Sequence, residues 1–124
     1  MKSPIKPKMH TVFVHVSDLY HSVEWYHSLL DLPYNQEDVS LPVYNMPMDT
    51  YTGLVLDAGP EGNKKNTGLS PHPLFNLHTD DIDEAYQFVV DKGMNIASPI
   101  SRFDDISFFD IKDPDGNVVM ICTG

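Results

Sequence analysis

The sequence predicts an α+β fold, one domain built from two tandem βαβββ modules, and three observations carry that expectation. At 124 residues and 41% hydrophobic content the chain can fill one packed core and is too short for two domains of ordinary size. A strand, a capped amphipathic helix and further strands succeed one another, and after a connector the same order starts again. Sliding the sequence by 63 residues places His15 on His78, Asp18 on Asp81, Leu19 on Ile82, Ser22 on Ala85, Trp25 on Phe88 and Gly53 on Gly116. Several of these matches are only chemical similarities, yet element order agrees with them, so the halves read as a duplication in one register throughout.

Residues 1–9 are basic and contain Pro4 and Pro7 but lack the apolar run of a secretory signal, so they read as a mobile tail before a domain covering 10–124. Module one occupies about 10–58. Residues 11–16, rich in β-branched and aromatic side chains, predict a strand; Ser17 or Asp18 then caps a helix whose apolar stripe is Leu19, Val23, Tyr26 and Leu30, ended by Pro33. Strands follow over 41–48 and 50–57, with a short one expected between 33 and 41. A connector over about 59–71 is rich in glycine, lysine and asparagine and has no periodicity. Module two, about 72–124, repeats the scheme: a strand over 74–79, a helix starting at Asp81 with Glu84 three residues on, and a stripe of Ile82, Tyr86 and Val89 ended by Gly93. Strands over 95–99, 106–112 and 118–122 complete it, the last two joined by the turn Asp113-Pro114-Asp115-Gly116.

A net charge of -10, from 18 acidic against 8 basic residues, would repel a phosphate backbone or an anionic membrane surface, so neither nucleic acid nor membrane is an expected partner. It favours cationic ligands, although solubility alone accounts for it. Cys122 is the only cysteine, which leaves no disulfide or cysteine cluster within one chain and makes a cytoplasmic location the default. No stretch reaches the length of a membrane span.

The run Val16-Ser17-Asp18-Leu19 leading into Ser22-Val23-Glu24-Trp25-Tyr26, with the late Asp113-Pro114-Asp115-Gly116-Asn117, resembles the glyoxalase, bleomycin-resistance and dioxygenase (vicinal oxygen chelate) superfamily over nearly the whole chain. The resemblance implies that the two modules curve a mixed sheet into a cup with the helices outside, and that members often pair as homodimers. It also implies where a divalent metal would be held in the superfamily's enzymes. Those positions, on the first and last strand of each module, fall on Thr11, Asp57, Leu74 and Met120, with a slip of one residue open at Asp57. Of these only Asp57 suits a hard ion, since leucine offers no donor and a thioether is a poor one. The usual metal site therefore reads as dismantled, and no cofactor is expected.

Strand parity places Thr11, Phe13 and His15 on one face and Leu74, Asn76 and His78 on the matching face, which with Asp57 and Met120 makes the expected ligand-binding cup. His15 and His78 are open to two readings: hydrogen-bonded walls of the cup, or an acid and base. A displaced metal site of His15, Asp57 and His78 is a further alternative. His10 faces the cup only after a one-residue slip that would invert its neighbours. His21 and His27 lie off the apolar stripe and are expected in solvent, and His72 between two prolines reads as loop. Trp25 and Phe88 are expected to pack helix on sheet. Tyr44, Met46 and Met48 share a strand face that suits core packing or an apolar ligand, with packing preferred. The acidic Asp80, Asp81, Asp83 and Glu84 belong at a helix N-terminus. Function then divides into a small-molecule binding protein without the usual metal, a superfamily enzyme of lyase or dioxygenase type using His15 and His78, and an interaction module working through edge strands.

Overall fold

The computed structural model describes residues 1–60 and 68–124, so part of the expected connector lies outside the described residues. In chain order the elements are β1 (Thr11–His15), α1 (Leu19–Leu29), a 3-10 turn (Gln36–Asp38), β2 (Val43–Asn45), β3 (Gly53–Asp57), β4 (Asn76–His78), α2 (Ile82–Asp91), β5 (Asn95–Ile96), β6 (Ser101–Arg102), β7 (Ser107–Lys112) and β8 (Val118–Cys122). Among the described residues the strands form two mixed sheets, β1-β3-β2 and β4-β8-β7-β5 with β6 on β7. In each, the first strand runs parallel to the last of its module. This is the expected α+β architecture of two βαβββ-like modules.

Local chemistry sets the helix ends. Asp18, rather than Ser17, is the N-cap of α1 and accepts from the His21 amide at 3.2 Å. Asp81 caps α2, accepting from the amides of Asp83 and Glu84. After α2 the chain turns through Gly93 at φ 71°, where a side chain would be strained; Asp31, at φ 53°, makes the same turn after α1. The strand expected between 33 and 41 is instead the 3-10 turn, started by the Asn35 side chain, which accepts from the Glu37 amide. A local Asx bond there satisfies backbone that a lone edge strand would leave open.

The helices cover one face of each sheet. Val14, Leu54 and Leu56 of module one and Phe109, Ile111, Val119 and Ile121 of module two meet Leu19, Val23, Tyr26, Ile82 and Val89 in one continuous core. Met46 is buried there as well, and Tyr44, level with Leu56, turns to the helix side, so the Tyr44 to Met48 face packs the core. Trp25 and Phe88 pack against the same cluster from its margin.

The two halves do not keep one register. His15 and His78 remain equivalent, but His15 pairs with Asp57 whereas His78 pairs with Cys122, a separation of 65 residues between the closing strands in place of 63. Gly53 lies in β3 opposite Thr11, while Gly116 sits in a turn at φ 91°. The segments leading into the closing strands differ in length by two residues. An even slip preserves side-chain parity, so each face keeps its character while individual positions move.

Candidate functional site

The face of each sheet turned away from the helices is exposed in part; on module two Val118 and Cys122, which share it, are buried. On module one it carries Thr11, Phe13 and His15 of β1, Val55 and Asp57 of β3, and Val43 of β2, placed in cross-strand rows by the pairing. On module two Asp110, Met120 and Asn76 form one row, and Phe108, Cys122 and His78 the next. Leu74 precedes β4 and donates its amide to Val118 O at 2.9 Å, which puts it one row further along. Every residue expected in the cup by parity therefore lies on an open face. Phe13 is 61% exposed and Leu74 43%.

The two-residue slip changes which residues of the closing strands correspond to one another. Met120 is level with Asn76, and the place in module one that corresponds to it is Val55, level with Phe13. Asp57 corresponds instead to Cys122, and its Oδ1 accepts from the Gly59 amide at 2.8 Å in a tight turn. Asp57 and Met120, made equivalent by an offset of 63, are therefore not level with one another in the two modules. Of the expected positions Thr11, Asp57, Leu74 and Met120, leucine offers no donor and the thioether a poor one for a hard divalent ion.

The displaced triad does not assemble either. His15 and Asp57 are neighbours across β1 and β3, but His78 is on the other sheet with its own partners, and among the described residues no three His, Cys, Asp or Glu side chains could hold an ion together. His78 Nε2 lies 2.8 Å from Asp80 Oδ1 and Nδ1 lies 3.3 Å from Gly124 O. The Asp80 hydrogen bond, aided by the Gly124 carbonyl, raises the imidazole above its usual range. His78 is therefore an oriented, exposed imidazole.

His10 stays outside, with Nδ1 2.6 Å from Thr11 Oγ1 and its ring edge-on to Tyr51, and Lys8 Nζ sits 3.8 Å above the Tyr51 ring. His21 and His72 are exposed as expected. His27 is not: it is 4% exposed, between Pro33 O at 3.1 Å and the Tyr44 hydroxyl at 3.0 Å. A carbonyl at Nδ1 requires a proton there, and the tautomer protonated at Nδ1 alone leaves Nε2 to accept from the Tyr44 hydroxyl. Helix periodicity alone missed this burial because β2 and the chain after Pro33 cover the flank of α1.

With the topology and open faces defined, comparison with known proteins becomes decisive. The family model for the Glyoxalase/Bleomycin resistance protein/Dioxygenase superfamily matches residues 8–121. The chain belongs to this superfamily. Among solved structures it is similar to a superfamily member from Sphaerobacter thermophilus, with 24% identity, 94% of this chain and 97% of the other covered, and a TM-score of 0.68. It is similar also to a glyoxalase/bleomycin resistance protein/dioxygenase from Alicyclobacillus acidocaldarius, at 17% identity, 98% and 93% coverage and a TM-score of 0.66. A third similar structure, the oxidase ChaP-H1, has 19% identity, 96% and 97% coverage and a TM-score of 0.67. These identities carry the fold alone. No curated protein matches the chain significantly.

Two features of this glyoxalase-superfamily chain escaped sequence reasoning. Asp110 lies on the open face of β7, and its Oδ1 is buried without a hydrogen-bond partner. Strand parity from Phe109 and Ile111 would have placed it there. The second is a clamp between the halves. Asp113 accepts from the amides of Asp115 and Asn117 at Oδ1 and from Asn117 Nδ2 and the Tyr26 hydroxyl at Oδ2, while the Asp115 carboxylate receives the Ser17 amide. The late turn is thus tied to the start of module one, and no helix among the described residues is long and apolar enough to cross a membrane.

Proposed function

We propose that the protein binds a small molecule in the cup formed by its open sheet faces and does so without the superfamily's usual divalent ion. The observation that carries this reading is the exposed apolar lining: Phe13, Val43 and Leu74 are 61%, 44% and 43% exposed on the side of the sheets that no helix covers. Large apolar side chains left exposed on an uncovered sheet face suit a binding site. The lack of a donor at Leu74 and the poor one at Met120 support the metal-free part. A homodimer belongs to the same proposal, its check being a solution mass twice the 14.0 kDa of the chain.

The test has two arms. Elemental mass spectrometry on untagged protein purified without chelator should find no stoichiometric transition metal, and reconstitution with nickel, zinc, manganese or ferrous iron should leave the melting temperature unmoved. A screen of aromatic and cationic compounds should then raise it by several degrees through mass action. A tightly bound equivalent of metal refutes the first part, and silence across the screen refutes the second.

The oriented His78–Asp80 pair favours a second reading, in which the cup does acid–base chemistry with His78 and His15. On any substrate found, His78→Ala would then abolish turnover; retained turnover removes it.

A further inference from the structure

Asp110 is held in an unusual setting for a carboxylate. Its strand neighbours Phe109 and Ile111 are fully buried on the helix side, which turns Asp110 to the open face, level with Met120 and Asn76. Its backbone is fixed on both sides of the peptide. The amides of Ala97 and Ser98 both donate to Asp110 O, at 2.8 and 3.3 Å, and the Asp110 amide donates to Ser98 Oγ at 2.9 Å. Two residues opposite one make a bulge between β5 and β6, a device that re-aims side chains beside binding sites. Against this fixed backbone, Oδ1 is buried and accepts nothing. Burial accordingly lifts the carboxyl above the ordinary carboxylate range.

The adjoining surface is flat and aromatic. Phe108, two residues along the same face, stacks on Phe103 with ring centroids 5.9 Å apart and planes 15° from parallel, and Phe103 is 63% exposed. Two steps along a strand span roughly 6.7 Å, about the length of a substituted ring. Lys112, two residues the other way, is exposed on the same face, and the ion pairs among the described residues are His78–Asp80 and Arg102–Asp83, neither of which involves Asp110 or Lys112.

We propose that Asp110 is the anchoring carboxylate of the ligand site and takes a compound with a cationic nitrogen, an amidinium or ammonium, on a flat apolar body lying against Phe103 and Phe108. This rests on the reading of the open face as a ligand-binding cup and adds the class of ligand. Asp110 is only partly buried as a residue, so a turn of its carboxyl group brings Oδ1 to the open face, where a charged N–H donor supplies the bond it lacks and neutralises the carboxylate in the same contact, the strongest form such a bond takes. The aromatic faces favour a cation and its ring together. A net charge of -10 raises the local concentration of such ligands.

The experiment uses the full chain and a matched pair of probes, naphthamidine and neutral naphthamide, titrated by calorimetry and by NMR shift mapping. Naphthamidine should bind at least tenfold more tightly than naphthamide, with shifts centred on Phe108, Asp110 and Met120. Asp110→Asn should reduce naphthamidine to the affinity of naphthamide and leave naphthamide unchanged; Phe103→Ala should weaken both alike. Equal affinities for the two probes, or naphthamidine binding unaffected by Asp110→Asn, overturns Asp110 as anchor while the cup reading stands. Failure of both probes to shift any open-face resonance overturns the two together.

Discussion

Replacing Tyr26 by phenylalanine should destabilise the protein by about 1.5 kcal/mol, the lower end of the range for a hydrogen bond to a charged group. Tyr26 is fully buried, and its hydroxyl donates to Asp113 Oδ2 at 2.8 Å. Phenylalanine retains the ring and its edge contact with Trp25, 4.8 Å between centroids, so the change removes one bond and little packing. The lower end applies because Asp113 keeps its other three donors: the Asn117 side-chain amide and the backbone amides of Asp115 and Asn117. Asp113→Ala removes the shared acceptor, leaves four donors without it and should cost at least about 3 kcal/mol. Urea unfolding measures both, with an unchanged m-value expected for Tyr26→Phe. For a chain of this size the milder change corresponds to a fall of about 4–6 °C in Tm. The pH dependence has a definite sign. Burial first, then Asp113, hold the phenol well above its ordinary 10.0, so its contribution is intact below pH 10.0 and is lost as pH rises through the higher folded value. Wild-type stability should therefore fall more steeply than that of Tyr26→Phe in strong base. A Tyr26→Phe change within about 0.5 kcal/mol of wild type, or Asp113→Ala no worse than Tyr26→Phe, would refute the clamp as a source of stability.

Two further outcomes follow from histidines. NMR titration should place the His78 midpoint above 6.5, and Asp80→Asn should bring it down; because the folded value is raised, any stabilisation is complete below pH 6.5 and disappears as pH rises through the folded midpoint. An unchanged midpoint in Asp80→Asn would show that the pair does not persist in solution. His27→Ala should cost about 2–4 kcal/mol in urea, since it opens a cavity and strands the Tyr44 hydroxyl and the Pro33 carbonyl, whereas exposed His21→Ala should stay within about 0.5 kcal/mol. Equal costs for the two would contradict the burial of His27.

The architecture was legible because hydrophobic period and cap chemistry are local. Leu19, Val23 and Tyr26 announce one helix face, Asp18 and Asp81 announce two helix starts, and the alternation of Phe13 and His15 with Val14 and Val16 announces a half-buried strand. The short strand expected near 33–41 failed for an equally local reason, an Asn35 side chain that bonds its own backbone. His27 failed for a non-local one. Its position on the helix wheel is polar, and only Tyr44, seventeen residues later and on another strand, makes that position interior. Asp110 shows the same division: parity predicts its face, but not the bulge at Ala97 and Ser98 that leaves its oxygen unpartnered.

The two-residue slip between closing strands shows why equivalence inside a duplicated fold has to be read from pairing. A sequence offset of 63 aligns helices and first strands, yet pairing gives 65 for the last strands, so Asp57 is level with His15 and corresponds to Cys122 rather than to Met120. Had the slip been one residue, Leu54 and Leu56 would have been turned out of the core, a change that burial energetics forbids. Two residues leave the core untouched and are therefore tolerated. On the open faces this leaves Val55 level with Phe13 in one sheet, and Asn76, Met120 and Asp110, with its unpartnered Oδ1, in one row of the other. On the proposed reading, such a surface selects its ligand by shape and charge.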